Sequence, residues 1–263
     1  MASQEALSQL QLPDFNVAIS NRAIKYVRFL TRTNRGRGLF TAWLKRSGRY
    51  VDLIQQTLRE WQLPEDLMWV AMIESGFDPA IKSPAGAMGL WQFMRPTGEV
   101  YGLQVTRFSD DRKNPVQATR AAAHHLRDLY QRFGSWDLAF AAYNMGYEQL
   151  LDRIDRYGTT DFNELSRQRA LPRETAAYVP KIVAAALVAN NLERYGFEDV
   201  KLYEPIHYSE LAVPGGTELS VIAKAAGIPV NRLRKLNPHL ITKHVPPGSD
   251  YVVMIPPESL SRA

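Results

Sequence analysis

The sequence contains no cysteine, which excludes disulfide bonds and metal sites built from thiolates. Histidine is scarce, with 5 residues in 263, and none of the common zinc-binding, phosphate-binding or dinucleotide-binding patterns occurs. A G-x-S-x-G nucleophile elbow is missing as well. We therefore expect a protein that uses no metal and no cofactor, so that any chemistry depends on other side chains.

Long apolar runs are also missing, since no stretch approaches the roughly 18 residues that span a bilayer. The first residues are polar, so this sequence has no recognisable signal peptide. Lysine and arginine exceed aspartate and glutamate by 32 to 27, which gives a formal net charge of +5. This excess suits a nucleic acid, a membrane surface or an acidic cell-wall polymer, and it does not choose among them.

Most of the chain has helical periodicity. Helices are predicted to begin at Pro115 and Pro172 and to end before Gly134 and Gly196, with a kink or split at Pro180. The Arg- and Gly-rich run 32–38 is predicted to end one helix before a second begins at Leu39. Its arginines suit either phosphate contacts or a solvated loop.

The helical periodicity of the apolar residues ends near Gly196. Tyr208–Val213 and Tyr251–Ile255 are predicted to be short strands, and Leu219–Ala226 and Val230–Leu236 to be two short helices between them. This βααβ pattern of some fifty residues predicts a second, small domain, with a boundary near residues 198–205.

The helix predicted after Pro64 carries a carboxylate on its apolar face. That face is formed by Leu67, Val70, Ala71 and Glu74. Gly76 is predicted to end the helix, so Glu74 lies in its last turn. Burial and the negative helix end both raise the pKa of a carboxyl there, which favours a general acid. A side chain that simply emerges into solvent at a frayed end is the alternative, and the spacing leaves both open.

Other acidic residues are weaker candidates. Asp110 and Asp111 are conceivable as the second carboxylate of a glycosidase, but loop and capping interactions are favoured for both. Asp78 is predicted to cap the turn that follows the helix of Glu74.

Four short motifs carry a resemblance to a known family. They are ESGFDP from Glu74, SPAGAMGLWQFM from Ser83, AYNMG from Ala142 and ETAAYVPKI from Glu174. In this order they resemble the motifs of the lytic transglycosylases, the goose-lysozyme-like enzymes that cut bacterial peptidoglycan. Each motif alone is weak, but four in sequence are specific, and the resemblance covers residues 50–195. The wording of the second and fourth motifs is most similar to the membrane-bound lytic transglycosylase D type.

The resemblance implies a mainly α, lysozyme-like (goose-type/SLT) helical domain that cleaves the MurNAc-β-1,4-GlcNAc bond without water and leaves 1,6-anhydroMurNAc ends. It implies that Glu74 acts alone, first as acid and then as base. It also implies substrate-binding roles for Ser75, Met88, Gln92, Tyr143, Asn144 and Tyr178. For two of these, structural readings stay open: Asn144 as a helix stop and Tyr143 as a core aromatic.

The implied partner is the glycan strand of peptidoglycan rather than nucleic acid, and the implied location is the periplasm or cell envelope. Membrane association would depend on an N-terminal signal or lipid anchor outside this sequence. The alternatives are a goose-type hydrolytic lysozyme and an inactive cell-wall-binding scaffold, which the intact Glu74 disfavours.

The C-terminal segment resembles a LysM glycan-binding module. It departs from the usual pattern at Gly216, where an acid normally precedes the threonine, so a docked structural appendage is the alternative. We expect an N-terminal helical segment at 1–48, a catalytic domain at 49–198 and the LysM-like module at 199–263. If the module is separable, a chain ending near Lys201 keeps its activity on short soluble glycans.

Overall fold

The computed structural model of the chain describes residues 9–261, and its fold is mainly helical, as predicted. Three single turns of 3-10 helix lie at Glu65–Leu67, Asp111–Lys113 and Pro257–Ser259. The described helices and strands are α1 (Asn21–Arg32), α2 (Asn34–Ser47), α3 (Val51–Glu60), α4 (Met68–Ser75), α5 (Arg95–Val100), α6 (Pro115–Phe133), α7 (Trp136–Met145), α8 (Tyr147–Tyr157), α9 (Phe162–Arg167), α10 (Arg173–Ala189), α11 (Leu192–Tyr195), β1 (Ser209–Val213), α12 (Leu219–Ala225), α13 (Val230–Leu236) and β2 (Tyr251–Ile255).

The chain divides into two compact units, and each combines two separate stretches of sequence. The first unit joins the stretch that ends at Gly76 to Ala122–Tyr203. The second joins Phe77–Ala121 to the stretch that begins at Glu204. The division into 1–48, 49–198 and 199–263 that the sequence suggests stays a prediction.

Helix α10 is the centre of the first unit and packs against α1, α4 and α7. Nearly all of its residues from Thr175 to Val188 are buried, and its many alanines allow neighbouring helices to approach closely. Of the two outcomes predicted at Pro180, the split is wrong, because the helix continues through this residue and ends at Ala189, and the kink stays a prediction. Packing on several sides outweighs the hydrogen bond that the proline removes. No helix within residues 9–261 is long and apolar enough to cross a membrane.

Helices α1 and α2 follow each other with a one-residue break. Ser20 caps α1 as its sequence position suggests, and its hydroxyl accepts a hydrogen bond from the N–H of Ala23 at 3.2 Å. The second helix starts at Asn34 instead of Leu39, because Thr33 caps it and accepts from the N–H of Gly36 at 3.0 Å. The prediction that the whole run 32–38 interrupts the helices is therefore wrong.

The second unit contains the predicted βααβ module. Strands β1 and β2 pair antiparallel, and Ser209 lies opposite Ile255. The side chain of Asn237 joins α13 to β2, because its Nδ2 donates to the carbonyl of Met254 at 2.7 Å and its Oδ1 accepts from the N–H of the same residue at 2.8 Å. The module therefore has its own order of elements and an internal polar contact that fixes them.

Backbone hydrogen bonds attach this module to the loop before α6 within the same unit. The N–H of Ile241 donates to the carbonyl of Phe108 at 2.9 Å, and the N–H of Asp110 donates to the carbonyl of His239 at 2.9 Å. Between them, Ser109 and Leu240 form an antiparallel bridge. The module is thus joined, through an isolated β-bridge and its two flanking hydrogen bonds, to a segment more than a hundred residues earlier in the chain.

Candidate active site

The end of helix α4 is held by close contacts in the first unit. Gly76 follows the helix with a φ of +57°, and a Cβ on this residue would lie 2.2 Å from the ring of Trp43. Only glycine fits both the left-handed conformation and this space. The Nε of Arg46 donates to the Gly76 carbonyl at 2.6 Å, which adds a cation at the negative helix end. Glu74 is therefore fixed in the last turn of α4, as its sequence position suggests.

Glu74 meets a tyrosine of the central helix. The hydroxyl of Tyr178 on α10 donates a hydrogen bond to Oε1 of Glu74 at 2.5 Å. Tyr178 is buried, whereas Glu74 keeps some accessible surface. The carboxyl group is therefore oriented from inside the protein, in a residue that is not completely enclosed.

The pKa of Glu74 rises from its ordinary 4.5 to about 7, in the direction that its position on an apolar face suggests. Burial is the main cause, because it disfavours the charged carboxylate. The hydrogen bond from Tyr178 opposes this shift, the charge of Glu174 adds to it and the charge of Lys181 reduces it. Near neutral pH the group is thus present in both forms, which suits a residue that first donates and then accepts a proton.

Tyr143 lies on α7 beside a second neutral ring. Its centroid is 5.0 Å from that of His125, and the planes are inclined by 31°. Burial raises the pKa of Tyr143 well above 10, and the charge of Glu74 contributes. Burial also lowers the pKa of His125 to about 4, so its imidazole is neutral at pH 7. Tyr143 is partly exposed rather than enclosed in the core, and it offers an uncharged hydroxyl near Glu74.

Asn144 is held by a residue that the sequence reasoning missed. The hydroxyl of Thr175 donates to Oδ1 of Asn144 at 2.8 Å, which turns the amide NH₂ away from α10. Thr175 and Tyr178 are three residues apart and lie on one face of α10, and this spacing within the ETAAY motif was the available signal. Asn144 lies inside α7, which ends at Met145, so the reading of Asn144 as the helix stop is wrong.

Ser75 follows Glu74 in the same helix, but its side chain forms a hydrogen bond with the helix backbone. Its hydroxyl donates to the carbonyl of Ala71 at 3.1 Å, and the residue is buried. This contact belongs to the helix and not to an open surface. A contact between Ser75 and sugar stays a prediction.

Met88 and Gln92 lie in a tightly built loop of the second unit. The N–H of Met88 donates to the carbonyl of Phe93 at 3.1 Å, and Nε2 of Gln92 donates to the carbonyl of Gly89 at 2.9 Å. Gly89 has a φ of +84°, and a Cβ there would lie 1.8 Å from the carbonyl oxygen of Arg112. The loop is therefore fixed by its own backbone, and the substrate contacts of Met88 and Gln92 stay predictions.

The remaining acidic candidates have structural roles, as favoured from the sequence. Both oxygens of Asp110 contact the guanidinium of Arg112, at 2.9 and 2.8 Å, and both side chains are buried. Asp111 accepts from the N–H of Gln104 at 3.0 Å, and Asp78 caps the next turn by accepting from the N–H of residue 80 at 2.9 Å. Among the described residues, no group of three or more His, Asp or Glu is arranged to hold a metal ion.

Comparison with protein families identifies two domains. Residues 52–166 match the transglycosylase SLT domain, and residues 207–263 match the LysM-like domain of the lytic transglycosylase MltD. The chain therefore contains an SLT transglycosylase domain and an MltD-type LysM-like domain, and the resemblance to lytic transglycosylases seen in the sequence is confirmed.

Individual relatives agree with these domain matches. The chain is 32% identical over 216 residues to the membrane-bound lytic murein transglycosylase D of Escherichia coli (strain K12), which covers 80% of this chain and 47% of that protein. It is 36% identical over 132 residues to the peptidoglycan transglycosylase gp16 of Escherichia phage T7, which covers 48% of this chain and 10% of that protein. The chain thus spans about half the length of the first relative.

A search of solved structures finds the 70 kDa soluble lytic transglycosylase of Escherichia coli. The two chains are 20% identical, with a TM-score of 0.48, over 68% of this chain and 33% of that one.

Proposed function

We propose that this chain is a peptidoglycan lytic transglycosylase that cleaves the MurNAc-β-1,4-GlcNAc bond without water and produces 1,6-anhydroMurNAc ends. The observation that carries the proposal is the hydrogen-bonded pair of Glu74, which lies within the residues that match the SLT domain, and Tyr178 on α10. A carboxyl group with a pKa of about 7 can donate a proton at neutral pH and take one back in the next step.

In the first step, protonated Glu74 donates its proton to the glycosidic oxygen while the bond from the MurNAc anomeric carbon to that oxygen breaks. The GlcNAc-bearing fragment leaves as an alcohol, and positive charge develops at the anomeric carbon. Loss of the proton converts Glu74 to a carboxylate, which the hydroxyl of Tyr178 stabilises by its hydrogen bond.

In the second step, the MurNAc 6-hydroxyl attacks the anomeric carbon and Glu74 removes the proton from that hydroxyl. The new bond closes the anhydro ring, Glu74 returns to its protonated form, and no water is consumed. Tyr143 and Asn144 would contact sugar from the same unit, and Ser75, Met88 and Gln92 complete the proposed substrate-binding set. We place this activity in the periplasm or cell envelope, with glycan strands as the partner.

Digestion of purified sacculi, followed by mass spectrometry of the released muropeptides, tests the proposal. Anhydro ends are expected, each one water lighter than the reducing end that a hydrolytic lysozyme produces. The Glu74→Gln variant should release nothing beyond background, since loss of a general acid or base typically lowers the rate by about 10²–10⁴-fold. Glu198→Gln, an exposed glutamate of the same unit, is the matched control.

Reducing ends would assign the chain to hydrolysis instead. Binding of sacculi without any product from the unmodified chain would make it a scaffold. Activity of Glu74→Gln within a few-fold of the control would remove Glu74 from the mechanism.

A further inference from the structure

A basic cavity opens on the first unit beside the start of α10. It has a volume of about 670 Å³, and four of its lining residues are the cations Arg22, Lys25, Arg169 and Arg173. The other lining residues are Tyr26, Ser166, Leu171, Ala176 and Ala177. Among the described residues, no carboxylate lines the cavity, so its four positive charges meet there without a lining counter-ion.

The position of one of these cations is fixed by the protein. Nη1 of Arg22 donates to the hydroxyl of Ser166 at 3.0 Å and to the carbonyl of Ala176 at 3.1 Å. These contacts occupy only one nitrogen of a guanidinium that carries five N–H donors, so Nε and Nη2 can bind a further acceptor. The small side chains of α10 at this point leave room for such a ligand.

The nearest carboxylate on α10, Glu174, follows Arg173 directly but is not among the residues that line the cavity. Its charge contributes to the raised pKa values of Glu74 and Tyr178. Lys181 is a further cation nearby, because its Nζ lies 5.8 Å from the ring centroid of Tyr26. Arginine, with its planar fork of donors, matches carboxylate and phosphate groups better than it matches neutral sugar hydroxyls.

We propose that this cavity binds the carboxylates of an acidic peptide, namely the stem peptide that peptidoglycan carries on MurNAc. This inference rests on the proposed function, since it supposes that the glycan strand is the substrate. It assigns the cavity to a part of the substrate that takes no part in bond breaking, and it makes peptide-bearing strands better substrates than bare glycan.

A peptide fits the cavity better than a membrane surface does. The cations surround a concave space with an aromatic ring and a buried leucine, Leu171, among its lining residues, whereas a bilayer presents its headgroups as a plane. A flexible chain with carboxylates can enter such a space and contact several cations at once.

The test uses the full chain with the double variant Lys25→Gln/Arg173→Gln. Both side chains are exposed, so the fold should be kept. The matched control is Arg156→Gln/Lys201→Gln, which removes two exposed cations of the same unit outside the cavity. Steady-state kinetics are measured on bare glycan, on peptide-substituted glycan and on the same substrate with its carboxylates amidated.

On peptide-substituted glycan, the cavity variant should show a KM raised on the order of tenfold with kcat unchanged. This is the loss of affinity expected when two exposed ion pairs between the cavity and the peptide are removed together. Amidation should produce the same loss for the unmodified chain. On bare glycan, the cavity variant and the control should be equal. A free acidic stem peptide, titrated calorimetrically, should bind the cavity variant correspondingly more weakly than the control.

Equal KM values for the cavity variant and the control on the acidic substrate would overturn the inference. So would loss of binding to anionic phospholipid vesicles with unchanged peptide affinity, since the cavity would then bind lipid phosphates. If the unmodified chain cleaves no glycan at all, the proposed function fails, and the peptide titration alone decides whether the cavity binds carboxylates.

Discussion

The substitution Glu74→Gln should make the protein more stable while it removes the catalytic proton. In the unfolded chain the carboxyl has its ordinary pKa of 4.5, whereas in the folded protein it is about 7. At about 1.4 kcal/mol per pH unit, this difference means that ionised Glu74 lowers the free energy of unfolding by about 3 kcal/mol. Glutamine has the same shape, keeps an oxygen for the Tyr178 hydroxyl and cannot ionise.

The effect has a defined pH window. Between pH 4.5 and 7 the folded state binds more protons at Glu74 than the unfolded state does, so the stability of the unmodified protein falls as pH rises. The Glu74→Gln side chain does not ionise, so the stability of the variant does not fall for this reason. Its advantage should therefore be small below pH 4.5 and should reach its full size, an upper estimate of about 3 kcal/mol, somewhat above pH 7.

Thermal unfolding followed by circular dichroism at pH 4.5, 6 and 8 measures this difference. At pH 8 the variant should melt roughly 6–12 °C above the unmodified protein, given about 2–4 °C per kcal/mol for chains of this size. The control Glu198→Gln should show no such dependence on pH. A melting difference that does not change with pH, or a variant less stable than the parent at pH 8, would show that Glu74 is not a strained, buried acid.

Three further changes test neighbouring contacts. Tyr178→Phe removes the donor that stabilises the Glu74 carboxylate, so the alkaline limb of the pH–rate profile should move to higher pH and kcat should fall roughly tenfold to a hundredfold. Thr175→Val keeps the packing but releases Asn144, and should raise KM about threefold to tenfold with little change in Tm. A chain ending at Lys201 should lose activity even on short soluble glycans, in contrast to the expectation for a separable module.

Local sequence signals predicted the parts of the site that depend on one helix. The apolar face of α4, the proline before it and Gly76 after it are consecutive in sequence, so the position of Glu74 in the last turn followed from spacing alone. The two short strands and the helices between them were predicted for the same reason. Each of these features is decided within about ten residues.

Contacts between distant segments were not predictable in this way. The hydrogen bond from Thr175 to Asn144 joins residues 31 positions apart, and no local pattern assigns a partner to a buried threonine. The continuity of α10 through Pro180 likewise depends on helices that pack around it, and intrinsic propensity alone favours a break. In both cases tertiary packing decides what the local sequence leaves open.

The loop that contains Met88 and Gln92 is the clearest case of a local shape that depends on a residue distant in sequence. Arg112 donates from Nη1 to the carbonyls of Gly86 and Phe93, which lie on either side of Met88 and Gln92. Its charge is balanced by Asp110, and both side chains are buried. Breaking a buried ion pair by removal of one partner costs about 3–5 kcal/mol, so this pair must stay intact and out of water for the loop to keep its shape.

The LysM-like module supplies part of that protection. The carbonyl of His239 accepts the backbone N–H of Asp110, and the neighbouring Ile241 pairs with Phe108. His239 is itself buried, and burial lowers the pKa of its imidazole to about 4, so this side chain is neutral at pH 7. These contacts give the module a structural role whether or not it binds glycan. Its removal would take away the backbone partners of Phe108 and Asp110, next to the Asp110–Arg112 pair that fixes the loop. For this reason truncation should impair the enzyme on soluble substrate and not only on sacculi.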